Sequence, residues 1–118
     1  MTPQQRTFTA WLGQHGLPAP VPEFHFHPQR VWRFDYAFPR DMIALEIEGG
    51  VFGGKEANGR RYKGAHASVT GMLRDIEKYN AAAVLGWRVL RVTPDQLFTQ
   101  STIDLLVDVV GREPKEAA

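Results

Sequence analysis

Cysteine is absent from all 118 residues, which excludes disulfides and thiolate metal sites. That absence is compatible with a reducing cytoplasm. No apolar run approaches the roughly 20 residues that span a bilayer, and the opening MTPQQRTFTAWLGQHG lacks the core of a signal peptide. No membrane partner is therefore expected. There is no excess of either charge: the formal net charge is +1. This does not exclude a nucleic-acid binder, which need be basic on one face only. Neither GxxxxGK[ST] nor GxGxxG occurs, so the paired glycines are not phosphate-binding fingerprints. Internal repeats and low-complexity segments are missing too. With 43% hydrophobic and 23% charged residues, the chain can build one modest core but not two. One domain is expected over residues 1–112, with a flexible tail at 113–118.

What is present reads as an ordered series of elements. Thr2, Pro3 and Gln5 have the spacing of a capping box with proline in the first turn. Phe8, Trp11 and Leu12 then give an i, i+3, i+4 apolar stripe, and Gly16 can end the helix. LPAPVP is a stiff linker. EFHFH, RVWRFDYAF and MIALEIE read as strands. In the second, Trp32, Phe34, Tyr36 and Phe38 alternate with Val31, Arg33, Asp35 and Ala37; in the third, Ile43, Leu45 and Ile47 alternate with Met42, Ala44, Glu46 and Glu48. The basic, glycine-rich GGVFGGKEANGRRYKG is expected to be a mobile loop. A helix is expected from about Val69 to Leu85, capped by Ser68 or Thr70 and stopped by Gly86. WRVLRV follows as a strand. Thr93, Pro94 and Gln96 repeat the capping signature and open a terminal helical region with a break near Thr99–Ser101. The order helix, three strands, helix, strand, helix predicts an α/β (α+β) fold. Its mixed sheet has about four strands: an antiparallel meander, then a strand joined by a helical crossover.

The segment MIALEIEGG sets two carboxylates into a run that favours burial. A hairpin turning at Arg40-Asp41 places Asp35 opposite Glu46, with Cβ atoms about 4.5–5.5 Å apart on one sheet face. Glu48 lies on that face one pleat further on. Opposed like charges destabilise a sheet, so something must compensate. A hard divalent cation such as Mg²⁺ does so, using carboxylate oxygens and water. The alternative is a solvated face on which Glu46 and Glu48 pair with Arg33 and Arg40. Gly49 and Gly50 leave room for a substrate backbone. In RDIEKYNAA, Asp75, Lys78, Tyr79 and Ala82 share one helical stripe, while Leu73, Ile76, Ala83 and Val84 are expected to face the sheet. Lys78 could act on water or phosphate charge, or simply pair with Asp75 on the surface.

RFDYAF, ALEIEGG, RDIEKYNAA and GWRVLRVTP, taken together, resemble the PD-(D/E)XK nuclease superfamily. The resemblance is to small phage or bacterial single-domain members akin to very-short-patch-repair-like endonucleases, and it runs from about Glu23 to Pro94. It implies a restriction-endonuclease-like core and Mg²⁺-dependent hydrolysis of DNA, with Mn²⁺ as a substitute. By position, Asp35 and Glu46 match the metal-binding acids. Glu48 stands where the superfamily usually has lysine, so Lys78 or Lys63 would fill that role, with Glu48 as a third ligand or a positioner of water. Glu23 resembles an auxiliary acid. A location in the cytoplasm of a bacterial cell or phage-infected host is implied as well.

The basic loop offers Lys55, Arg60, Arg61 and Lys63, with Tyr62 among them, to track a phosphate backbone. Arg33 and His66 are further candidate DNA contacts. His25 and His27 share a strand face but lack a third histidine nearby, and Trp87 is expected in the core. The leading expectation is a metal-dependent DNA endonuclease acting in repair, recombination or phage DNA processing. The small size points to selectivity for branched DNA such as a Holliday junction, with a homodimer as the working unit. The rival is a non-catalytic DNA-binding or assembly subunit that retains the nuclease fold.

Overall fold

The computed structural model describes residues 1–49 and 64–111, with the side chains of 64–68 left aside. Four strands form one sheet in the order β1 (Val21–His25), β2 (Arg33–Phe38), β3 (Ile43–Ile47) and β4 (Arg88–Val92). The first three are an antiparallel meander, and β4 joins β3 in parallel. The helices are α1 (Pro3–Gln14), α2 (Gly64–Val84) and α3 (Gln100–Val109). The chain is thus an α+β fold with a four-stranded mixed sheet, as the order of sequence patterns predicts. Among the described residues, no helix is long and apolar enough to cross a membrane.

Local chemistry explains where these elements begin and end. The Thr2 hydroxyl accepts from the Gln5 N–H at 3.1 Å, and the Gln5 side chain accepts from the Thr2 N–H at 2.8 Å, completing the capping box of α1. Removing that cap with Thr2→Ala should lower stability by about 1 kcal/mol in urea unfolding. Gly86, at φ +93°, turns the chain after α2 through the left-handed region. The Pro39–Asp41 turn between β2 and β3 closes on Met42 in a left-handed conformation. The Thr93/Gln96 box caps a single 3-10 turn, and α3 restarts at Gln100, so the expected break is present.

The structure corrects the bounds of β1 and α2 and the pleat of β2. β1 begins at Val21 and ends at His25, leaving His27 in the following turn, where its Nδ1 accepts from the Gln29 and Arg30 N–H groups. Proline is tolerated in this strand because β1 lies at the sheet edge. Helix α2 starts at Gly64, well before Val69. Ala65 and Ala67 are strong helix formers, and serine or threonine nearby does not oblige the helix to start there. The alternation of β2 also breaks: Phe34 packs with Ala37 and Ala44, whereas Tyr36 and Phe38 pack on the opposite side. Phe34 and Asp35 are thus out of simple alternation. Across the ladder, the neighbouring Glu23 of β1 has φ +49°, so both strands are distorted at this level.

The sheet is packed on both faces, so the one modest core expected from composition is divided into two hydrophobic clusters within a single four-stranded unit. On one, Phe8 and Leu12 of α1 and Ile103 and Leu106 of α3 pack on Tyr36, Phe38, Ile43 and Leu45. On the other, Ala82 of α2 meets Phe26, Phe34, Ala37, Ala44 and Trp87. Trp87 is core, as expected, lying 5.1 Å from the Phe34 ring in an edge contact. The side of α2 turned to the sheet carries Lys78, Tyr79 and Ala82; Leu73, Ile76, Ala83 and Val84 are exposed. The apolar residues expected to face the sheet thus face outward, because the sheet under α2 presents carboxylates and not only hydrocarbon.

Candidate functional site

The ladder between β2 and β3 pairs Phe38 with Ile43, Ala37 with Ala44 and Tyr36 with Leu45. Continuing that register brings Asp35 level with Glu46, as the hairpin geometry predicts. Here the ladder changes character. The Asp35 N–H donates to Glu46 Oε2 at 3.0 Å, and the Ile47 N–H donates to Asp35 Oδ2 at 2.7 Å. Each carboxylate therefore takes a main-chain donor that a regular rung would have used. The two strands are joined through their acidic side chains, which fixes both carboxylates at one place.

Helix α2 closes the site from above. Lys78 Nζ donates to Glu46 Oε1 in a close ion pair, and both side chains are largely buried. The Tyr79 hydroxyl lies 3.4 Å from Glu46 Oε1 and 3.3 Å from Glu48 Oε1, bridging the two glutamates. Arg91 of β4 is level with Glu46 in the parallel ladder, and its Nε reaches Glu48 Oε1 at 3.3 Å. Its guanidinium carbon sits over the Tyr79 ring, 3.7 Å from the centroid.

Burial dominates the electrostatics. Glu46 is only 4% exposed, and its pKa is pushed up to about 7, mainly by loss of solvent. The Lys78 hydrogen bond and the Asp35 N–H pull it down, while the Asp35 side chain pushes it up. Burial also raises the Tyr79 hydroxyl, followed by the charges of Glu46 and Glu48. Tyr36 is raised by burial, then by Asp35 and Glu23. Both phenols stay protonated near neutrality, so Tyr79 acts as a hydrogen-bond donor.

The other predicted site residues divide clearly. Asp35, Glu46, Glu48 and Lys78 come together. Glu23 is exposed on β1 across from the Asp35 level, and Arg33 is exposed at the start of β2. Arg40 is engaged elsewhere, with Gly111 O at 2.8 Å and Asp41 at 3.6 Å, so it does not neutralise Glu46 or Glu48. Lys55, Arg60, Arg61 and Lys63 lie outside the described residues, as do residues 113–118. His66 falls within α2, but its side chain is not described. His25 and His27 each engage the chain around Arg30, and neither joins the carboxylates.

Two further residues, Tyr79 and Arg91, belong to the site. Tyr79 lies in the stripe with Lys78, which was its available signal. Arg91 could have been found by aligning ALEIE in parallel with RVLRV, which pairs it with Glu46.

The donor set at this site is all oxygen. Among the described residues, no group of three or more His, Asp or Glu is gathered closely enough to hold a metal. The Asp35–Glu46 pair nevertheless suits a Mg²⁺-class ion, which takes one or two carboxylates and retains water elsewhere. Glu48 is one pleat away, connected through Tyr79.

No family model matches the chain. No solved structure matches it either. Two proteins of Mycobacterium tuberculosis are similar to it: Uncharacterized protein MT2308 of strain CDC 1551 / Oshkosh and Uncharacterized protein Rv2248 of strain ATCC 25618 / H37Rv. Each is 29% identical over 106 residues, which cover 88% of this chain and 30% of the relative. The chain thus spans less than a third of the length of these curated relatives.

Proposed function

We propose that the chain is a divalent-metal-dependent DNA endonuclease domain of the PD-(D/E)XK type. The observation that carries this reading is the pair Asp35 and Glu46, locked onto each other's strands with Lys78 on the buried glutamate. A carboxylate this costly to bury, beside a second one, is an arrangement that a hard cation relieves. Perturbed acids at such a place are candidates for chemistry. Asp35 and Glu46 would hold Mg²⁺ or Mn²⁺, with Glu48 and the more distant Glu23 acting through water. When bound, the ion supplies an activated water and offsets charge at the phosphate.

The chain's own residues do the rest. Lys78 offsets charge as it builds on the phosphate, taking the part of the lysine absent from position 48. Tyr79 shares its one hydroxyl proton between Glu46 and Glu48 and so links the two carboxylates. At Gly49, no described residue beyond its chain neighbours comes within 4 Å of where a Cβ would stand, which suits close approach of a backbone. Arg33 and the basic residues 55, 60, 61 and 63 would contact the DNA backbone, with His66 in support. Preference for branched DNA, a homodimeric unit and a cytoplasmic setting belong to the same proposal. The greater length of the relatives allows this unit to serve as one module of a longer protein.

A second reading has one observation in its favour. Lys78 and Arg91 already pair with the two glutamates, as they would in a DNA-binding subunit that no longer cuts. Incubating the protein with supercoiled plasmid and with a four-way junction, in Mg²⁺ or in EDTA, separates the two. The nuclease reading expects metal-dependent strand cleavage leaving 5′ phosphates. Retention of DNA with no cleavage in Mg²⁺ or Mn²⁺ would favour the binding subunit.

A further inference from the structure

We propose that Arg91 is a substrate contact held in reserve: its guanidinium rests on Glu48 until cation loading of the carboxylates releases it to a phosphate of the DNA backbone. This rests on the nuclease reading and adds to it a coupling between metal and DNA binding.

The geometry has three parts. Arg91 is level with Glu46 in the β3–β4 ladder, so it stands at the carboxylate site and not merely near it. Its Nε meets Glu48 Oε1 at 3.3 Å, and the Tyr79 hydroxyl reaches the same oxygen at 3.3 Å. The guanidinium carbon lies over the Tyr79 ring, 3.7 Å from its centroid. The carboxylate is thus one of two supports for Arg91, and the ring is the other. If Glu48 turns toward a cation, the ring still holds the guanidinium at the site.

The Arg91 side chain is 49% exposed, against 17% for Lys78. An ion pair this open to water is weak and readily exchanged. The Lys78–Glu46 pair is the buried one and costs more to break. Arg91 is therefore the cation that changes partner more easily. Arginine also suits the second partner: it stays charged, and its planar fork matches two phosphate oxygens at once. Cation and DNA should then favour one another's binding, and by linkage the effect is reciprocal.

The test uses fluorescence anisotropy with a labelled duplex and a labelled four-way junction, in EDTA or in Ca²⁺ as a non-cleaving cation. Manganese binding is measured in parallel by calorimetry, and folding is checked by circular dichroism. In the unaltered protein, Ca²⁺ should tighten DNA binding. In Arg91→Gln that gain should shrink by roughly tenfold, while Mn²⁺ binds as well as before or better, because Glu48 has lost a competing cation. Arg91→Lys should restore part of the gain. These opposite directions would not come from a structural role, which would weaken both. A full Ca²⁺-dependent gain in Arg91→Gln would overturn the assignment and leave the nuclease reading standing. Parallel loss of Mn²⁺ binding in that variant would also overturn it. Absence of any Ca²⁺-dependent gain in the unaltered protein, together with no Mn²⁺ binding, would remove both.

Discussion

Asp35→Asn should reduce Mg²⁺-dependent cleavage on the order of a thousandfold while leaving the protein folded. The size follows from removing a charged ligand from the ion that supplies the water and offsets the phosphate charge; each 1.36 kcal/mol lost from that stabilisation is about tenfold in rate. The fold should survive because asparagine retains a carbonyl oxygen where Asp35 Oδ2 now accepts the Ile47 N–H at 2.7 Å. The Asp35 N–H and its bond to Glu46 belong to the main chain and persist. Asp35→Ala should cut no better and should be less stable, since the Ile47 N–H loses its acceptor. Plasmid nicking rates and urea melts check both halves. Cleavage by Asp35→Asn within tenfold of the unaltered protein would remove Asp35 from the ligand set.

The second large effect concerns pH and stability. Glu46 is pushed up to about 7 in the folded chain, against 4.5 as its ordinary value. Between those values the folded state keeps a proton that the unfolded chain has released. The contribution is therefore fully present at acid pH below the unfolded value, and is lost as pH rises toward 7. One proton contributes about 1.4 kcal/mol per pH unit, so the loss amounts to about 3 kcal/mol across the window. Glu46→Gln cannot titrate. In EDTA, the difference in unfolding free energy between the two proteins should shift by about that amount from pH 4.5 to 7.5. The comparison cancels other titrating groups, including the histidines. Divalent cation should stabilise the unaltered protein above pH 7 and lose its effect near pH 5, where the proton competes. A difference that stays flat with pH would show that Lys78 keeps Glu46 ionised throughout.

Much of this arrangement was legible in the sequence, and the reason is geometric. The turn at Pro39–Asp41 and the alternation of β3 leave little freedom in the hairpin register, so Asp35 and Glu46 had to meet. The same alternation correctly puts Ile43, Leu45 and Ile47 on the side away from Glu46. The stripe of Asp75, Lys78, Tyr79 and Ala82 was visible by helical spacing. Its direction was not, since hydrophobicity favours Leu73 and Ile76 as the inward residues, whereas the structure turns Lys78 and Tyr79 in. Local preference gives way here to the demands of a buried carboxylate, and such conflicts gather at functional sites. The irregularity of β2 at Phe34–Asp35 was hidden too, because pattern reading assumes an even pleat. Arg91 escaped notice because its role depends on the parallel pairing of β4, a long-range contact that spacing along the chain does not encode.

Whether the Asp35–Glu46 pair binds a divalent ion is decided by calorimetric titration of the purified protein with Mn²⁺ at pH 7.5. Saturable binding to the unaltered protein, lost in both Asp35→Asn and Glu46→Gln, is the expected result. Absence of binding to the unaltered protein, or binding that survives both substitutions, would contradict it.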